Sequence, residues 1–182
     1  FVSTAPAALY AAADTQMKAG HFEEAELALG CAAAQLVDSN DDLLRYEWIR
    51  RRGVLAYRQE YIADALGHFE CALEMAETRG DRAAIAKQLK NVGSSLRRLG
   101  DYRDALSALE RGLRLMREDD DPAIGTALSN IADIYREIDE PQQAERYYRE
   151  AEEAFRRNRD TVEAAHVLES LSTLALKRGD PA

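Results

Sequence analysis

The sequence predicts an all-α fold, a solenoid of about nine antiparallel helices forming a single array over residues 1–182. Three observations predict it. First, a small turn, a bulky or aromatic residue and then Ala keep returning along the chain. The alanines that close this pattern, Ala25, Ala65, Ala105 and Ala144, stand 40, 40 and 39 residues apart. A period between roughly 20 and 50 residues marks stacked repeats. Second, apolar residues between the turns recur at three- and four-residue steps, as one face of a helix requires. Third, no strand-like alternation bounded by turn residues interrupts them. With 46% apolar residues the chain can bury a sizeable core. The repeats fall at about 6–40, 41–80, 81–120 and 121–158, with a partial fifth over 159–182.

The elements follow in order. In the first repeat, Ala13 is the small residue of the first helix and Gly20-His21-Phe22-Glu23-Glu24-Ala25 turns into the second. In the second repeat, Gly53 precedes the turn Gln59-Glu60-Tyr61, and Ala65 and Phe69 follow it. Gly80-Asp81 reads as a helix-ending Gly and the next N-cap. In the third, Leu89, Val92, Gly93, Leu96 and Leu99 share one helical face. After Gly100-Asp101-Tyr102 a second face runs through Ala105, Leu106, Leu109, Leu113 and Met116. Asp121-Pro122 reads as an N-cap with Pro at the first helical position. The fourth repeat carries Leu128, Ile131, Ala132 and Tyr135, then Asp139-Glu140-Pro141, Ala144, Tyr148 and Ala151. Leu168, Leu171, Leu174 and Leu176 belong to a ninth helix, and Gly179-Asp180-Pro181 starts a further turn. Small residues on both helices of a pair allow close approach, so a bulky residue at Ala105 should overpack the contact, by roughly 1–3 kcal/mol.

These residues resemble the tetratricopeptide repeat. That pattern is carried by Leu89, Val92-Gly93, Leu96, Gly100-Asp101-Tyr102, Ala105, Leu109 and Gly112, and again by Leu128, Ile131-Ala132, Tyr135, Ala144, Tyr148 and Ala151. The unit here is about 40 residues rather than the standard 34. Longer units of this kind resemble those of kinesin light chains, G-protein-linked polarity scaffolds and bacterial signalling sensors. In the first repeat, Ala13 replaces the usual Gly and Gln16 the usual bulky residue. The resemblance implies a right-handed superhelix whose concave groove is lined by the first helix of each repeat.

Carried across residue by residue, it places Arg50, Arg51, Tyr57, Lys87, Lys90, Asn91, Arg97 and Asn130 at peptide-contacting positions of that groove. The charge distribution agrees with such a role. The whole chain carries -9, but residues 1–48 carry -6, residues 49–117 carry +5 and residues 118–182 carry -8. A basic middle in an acidic chain can steer an anionic partner. The expected function is therefore protein–protein interaction, with a partner's peptide segment, acidic in character, seated in the groove. Asn91 and Asn130 could bond an extended backbone through their amides. The likeness to repeats that clamp a terminal carboxylate is partial, because Asp14 stands where that clamp has Asn. The competing reading is that these cations pair with Glu and Asp of neighbouring helices, which is common and contributes little. A second functional reading is a sensory or regulatory domain of a longer signalling protein, such as a nucleotide cyclase or a transcription regulator.

Other chemistry finds no support. His21, His68 and His166 are scattered, whereas a metal site needs three or four converging ligands. Asp38-Ser39-Asn40-Asp41-Asp42 lacks the Gly and distal Glu of a calcium loop. Arg79-Gly80-Asp81 and Arg178-Gly179-Asp180 lie at expected turns rather than in an adhesion loop. With no phosphate loop, activated nucleophile or paired carboxylates, neither catalysis nor a cofactor is expected. The net charge disfavours nucleic acid, and no apolar run is long enough to span a membrane. Cys31 and Cys71 are expected as half-buried thiols in a reducing, cytoplasmic setting. A chain opening at Phe1 rather than Met is expected to be a piece of a longer protein. The four leucines near its end are expected to lie uncovered, inviting self-association through the last helix.

Overall fold

A computed structural model describes residues 5–37 and 39–178. The described residues form helices and turns, with no strand. The helices are α1 (Pro6–Ala19), α2 (Phe22–Leu36), α3 (Asp42–Arg58), α4 (Ile62–Arg79), α5 (Arg82–Leu99), α6 (Tyr102–Glu118), α7 (Ile124–Glu137), α8 (Pro141–Arg157) and α9 (Thr161–Arg178). The chain divides into two compact units, residues 1–91 and 92–182, and α5 runs through the division.

The turns explain the period. Backbone in the left-handed region recurs at Gly20, Glu60, Gly100 and Asp139, between the two helices of each pair. It recurs at Gly80, Asp120 and Arg159, between successive pairs. At Gly20 and Gly100 (φ 80° and 86°) the missing Cβ makes this conformation easy. Glu60 holds the equivalent place at φ 66° with a Cβ in the way. Glu60→Gly should therefore stabilise the fold by about 1 kcal/mol, read as a rise in thermal midpoint.

In the first unit, α1 packs on α2, α3 on α4, and α3 on both α1 and α2. One core joins Tyr10, Ala13, Met17, Ala25, Leu29, Ala32 and Leu55. A second joins Tyr46, Ala72, Ala76 and Ala84. In the second unit, α7 packs on α6 and α8, and α9 on α8, around Leu109, Ile131, Tyr148 and Phe155. Ala25, Ala65, Ala105 and Ala144 are all fully buried. A Cβ on Gly53 would stand 2.6 Å from the Phe69 ring, and one on Gly93 2.5 Å from Leu109 Cγ. A Cβ on Gly125, which the repeat pattern does not mark, would stand 2.8 Å from the Phe155 ring.

Three local expectations are corrected. Asp121-Pro122 does not open α7. The Asp121 side chain accepts from the Ala123 N–H (2.7 Å) and its carbonyl from the Ile124 N–H, making a turn that delays the helix to Ile124. Gly80-Asp81 does behave as read, with Gly80 at φ 65° and Asp81 accepting from the Ala84 N–H at 3.0 Å. Cys31 and Cys71 are exposed rather than half-buried, because both fall on the solvent side of the second helices α2 and α4. The ninth helix is better covered than four stranded leucines would be. Leu174 is buried and Leu171 packs on the core of the second unit, leaving Val162, Leu168 and Leu176 exposed. The turn at Gly179-Asp180-Pro181 and the tripeptide Arg178-Gly179-Asp180 lie wholly or partly outside the described residues.

Candidate functional site

The residues singled out for peptide contact lie on the first helices α3, α5 and α7. In the first unit they form a charged strip. Arg51 grips Asp14 of α1 with two hydrogen bonds, Nε to Oδ1 at 3.0 Å and Nη2 to Oδ2 at 2.9 Å. It also donates to the Glu47 carboxylate and carbonyl, and its guanidinium lies 4.7 Å over the Tyr10 ring. Arg50 donates to Glu47 at 2.9 Å, while its Nε is buried without a partner. Arg58 reaches back to the Met17 carbonyl at 3.1 Å. These arginines thus spend much of their bonding capacity inside the fold.

Lys87 differs. It is exposed, and among the described residues it makes no hydrogen bond or ion pair. Partial burial and then the Arg50 charge push its pKa down, Glu47 and Asp14 pull it up, and Arg51 adds to the depression. The strip therefore sets three cations, Arg50, Arg51 and Lys87, against two carboxylates, Asp14 and Glu47. Tyr57 and Lys90 are half-buried on α3 and α5. The Asn91 amide donates to Gln88 Oε1 at 3.2 Å, and Gln88 in turn donates to the Tyr46 hydroxyl at 2.8 Å.

Glu47 gives the strip a pH signature. Burial acts to raise its pKa, but the bonds and charges of Arg50 and Arg51 outweigh this and hold it below the ordinary carboxylate value. A folded pKa below the unfolded one stabilises the fold above the unfolded pKa. That contribution fades as pH falls through roughly 4. The acid-side fall in thermal midpoint should be shallower in Glu47→Gln than in the parent, checked by melts from about pH 7 down to about pH 3.

In the second unit the positions are more evenly balanced. Arg97 donates to Glu137 at 2.7 Å and lies 3.7 Å from Asp133. Asp133 also accepts from Arg136 at 3.1 Å and from the Tyr148 hydroxyl at 2.5 Å. Burial first, then this bond to Asp133, raises the Tyr148 pKa strongly, so it stays a donor. Asn130 donates to Ser94 at 2.8 Å. Two bases and two acids leave this cluster neutral overall. Tyr148 is the participant that sequence reading placed only in the core; its phenol at a buried helix contact was the available signal. Among the described residues no His, Cys, Asp and Glu cluster could hold a metal, and no helix is long and apolar enough to cross a membrane.

A family model for the tetratricopeptide repeat matches residues 45–118 and 88–157, more than half of the chain. The chain belongs to the tetratricopeptide repeat family. Its helix pairs are the protein-interaction scaffold of that family. The Arabidopsis thaliana protein FLUORESCENT IN BLUE LIGHT, chloroplastic, is 31% identical over 99 residues, covering 54% of this chain and 31% of that protein. The fold of a Rap protein complexed with Competence and Sporulation Factor matches with a TM-score of 0.83 at 17% identity, over 94% of this chain and 48% of that one. The Rap conjugation gene regulator of the plasmid pLS20, in complex with the Phr peptide, matches with a TM-score of 0.78 at 17% identity, over 93% of this chain and 47% of that one. These tetratricopeptide repeats thus span about a third of the curated relative and about half of each Rap chain.

Proposed function

We propose that the chain is a protein–protein interaction module that seats a partner's peptide on its first-helix face, and that the first unit draws acidic residues of that peptide toward Lys87. The observation that carries this reading is the state of Lys87. Among the described residues it makes no ion pair, and the repulsion of Arg50 and Arg51 is set against the attraction of the more distant Glu47 and Asp14. An anion placed beside it would relieve that repulsion. Arg51, Arg97 and Asn130 serve a different purpose from the one their positions suggest. Their bonds across helices shape the face rather than wait for a ligand. The peptide-bound Rap regulator of similar fold supports a peptide as the class of ligand. No catalytic step is assigned to the chain.

The test is titration of fluorescently labelled peptides against the chain. A Glu/Asp-rich peptide should bind more tightly than its Gln/Asn analogue at low salt, and added salt should shrink the difference as exposed charges are screened. Equal binding of the neutral analogue would remove the acidic preference, and no binding of any peptide would remove the module reading.

A further inference from the structure

Helix α9 carries two stripes of apolar and small residues. Ala164, Val167, Leu171 and Leu174 pack on the core of the second unit. Ala165, Leu168, Ser172 and Ala175 form the other stripe, about a third of a turn round the helix, and it bears no charge. Ala165, Leu168 and Ser172 are exposed, and Leu176 beside them is 70% exposed.

The repeat tells what such a stripe packs against. Leu168 and Ser172 stand 40 residues after Leu128 and Ala132 of α7, which packs on α8. On α7 the stripe is covered: Leu128 is 3% exposed and Ala132 is fully buried, whereas Leu168 is 46% exposed. The helix pairs set a small residue of the first helix against a bulky one of the antiparallel second. Gly53 faces Phe69, and Gly93 faces Leu109. α9 offers the small residue, Ser172, and among the described residues no second helix of its own covers it.

A second copy supplies the missing bulky residue. The spacings along the stripe are 3, 4 and 3 residues, the same read from either end. A two-fold axis beside residue 170 therefore sets two α9 helices antiparallel, with each Leu168 over the partner's Ser172 and each Ala165 over the partner's Ala175. An isologous contact requires this self-complementarity. Leu168 then takes the place of Leu109, and Ser172 that of Gly93. No charge is buried: Glu169 borders the stripe in solvent, and Glu163 and His166, both exposed and 3.7 Å apart, lie off it. We propose that this stripe is a homodimer interface, two α9 helices pairing antiparallel about that axis. The proposal is independent of the peptide face.

One helix face per copy is a small contact, so a Kd of about 10 to 100 μM is expected. Sedimentation equilibrium across that range should show monomer and dimer in exchange. Leu168→Lys, at an exposed side chain, should weaken the dimer about a hundredfold or more while keeping the parent's thermal midpoint. Disulfide cross-linking reads the geometry, in chains that also carry Cys31→Ser and Cys71→Ser. A mixture of Leu168→Cys and Ser172→Cys chains should form covalent dimers faster than either chain alone. A chain monomeric up to about 1 mM, its stripe then left to a helix of another protein, would overturn the proposal. So would a dimer indifferent to Leu168→Lys, or cross-linking no faster in the mixture than in the single chains.

Discussion

Gly93→Val is expected to destabilise the fold by about 3 kcal/mol. The Cβ alone would lie 2.5 Å from Leu109 Cγ, 2.9 Å from Leu109 Cδ2 and 3.1 Å from the Ala105 carbonyl oxygen. Leu109 is fully buried, so it has no vacant space to enter. The α5–α6 pair would have to separate, and the contact around Ala105 would open with it. Glycine in a helix interior ordinarily costs about 1 kcal/mol relative to alanine, so the glycine is kept here for space. Gly30→Ala provides the control. It too is helical, but its added Cβ would meet nothing within 4 Å. That variant should gain stability by up to about 1 kcal/mol. Urea midpoints of the two variants should move in opposite directions.

Arg51→Met should be the second large effect, at about 2 kcal/mol. The arginine side chain is only 12% exposed and ties Asp14 of α1 to Glu47 of α3. Its removal takes away the two-bond partner of Asp14 and leaves Glu47 with Arg50 alone at the contact of two first helices. Stranding one partner of a largely buried ion pair, here Asp14, costs more than the pair is worth. Asp14 and Glu47 keep some water, which holds the loss below the full buried-pair value. Urea denaturation of the variant measures the loss. The result also separates two roles. If Arg51 is a brace, any loss of peptide binding in its variants follows from the loss of fold.

The architecture was legible because each repeat writes the same local rules. Left-handed turn residues, fully buried alanines and first-helix glycines all recur with the period. Gly125 escaped because its partner, Phe155, is 30 residues away and no local pattern links them. Asp121-Pro122 misled because an Asx turn and an N-cap use the same side-chain acceptor. At the candidate site, helix and face were readable from the period, but counter-ions were not. Which carboxylate meets Arg51 depends on how α1 and α3 abut, 37 residues apart in sequence. The sequence therefore offered Arg51 and Lys87 as equals, whereas packing makes one a brace and leaves the other available.

The most direct test of the account is peptide titration with Lys87→Glu, at an exposed side chain whose change leaves the core intact. The parent should prefer the acidic peptide at low salt. The variant should lose that preference by about tenfold or more while keeping the parent's thermal midpoint. An unchanged preference in a folded Lys87→Glu variant would contradict the assignment of the acidic subsite to the first-helix strip.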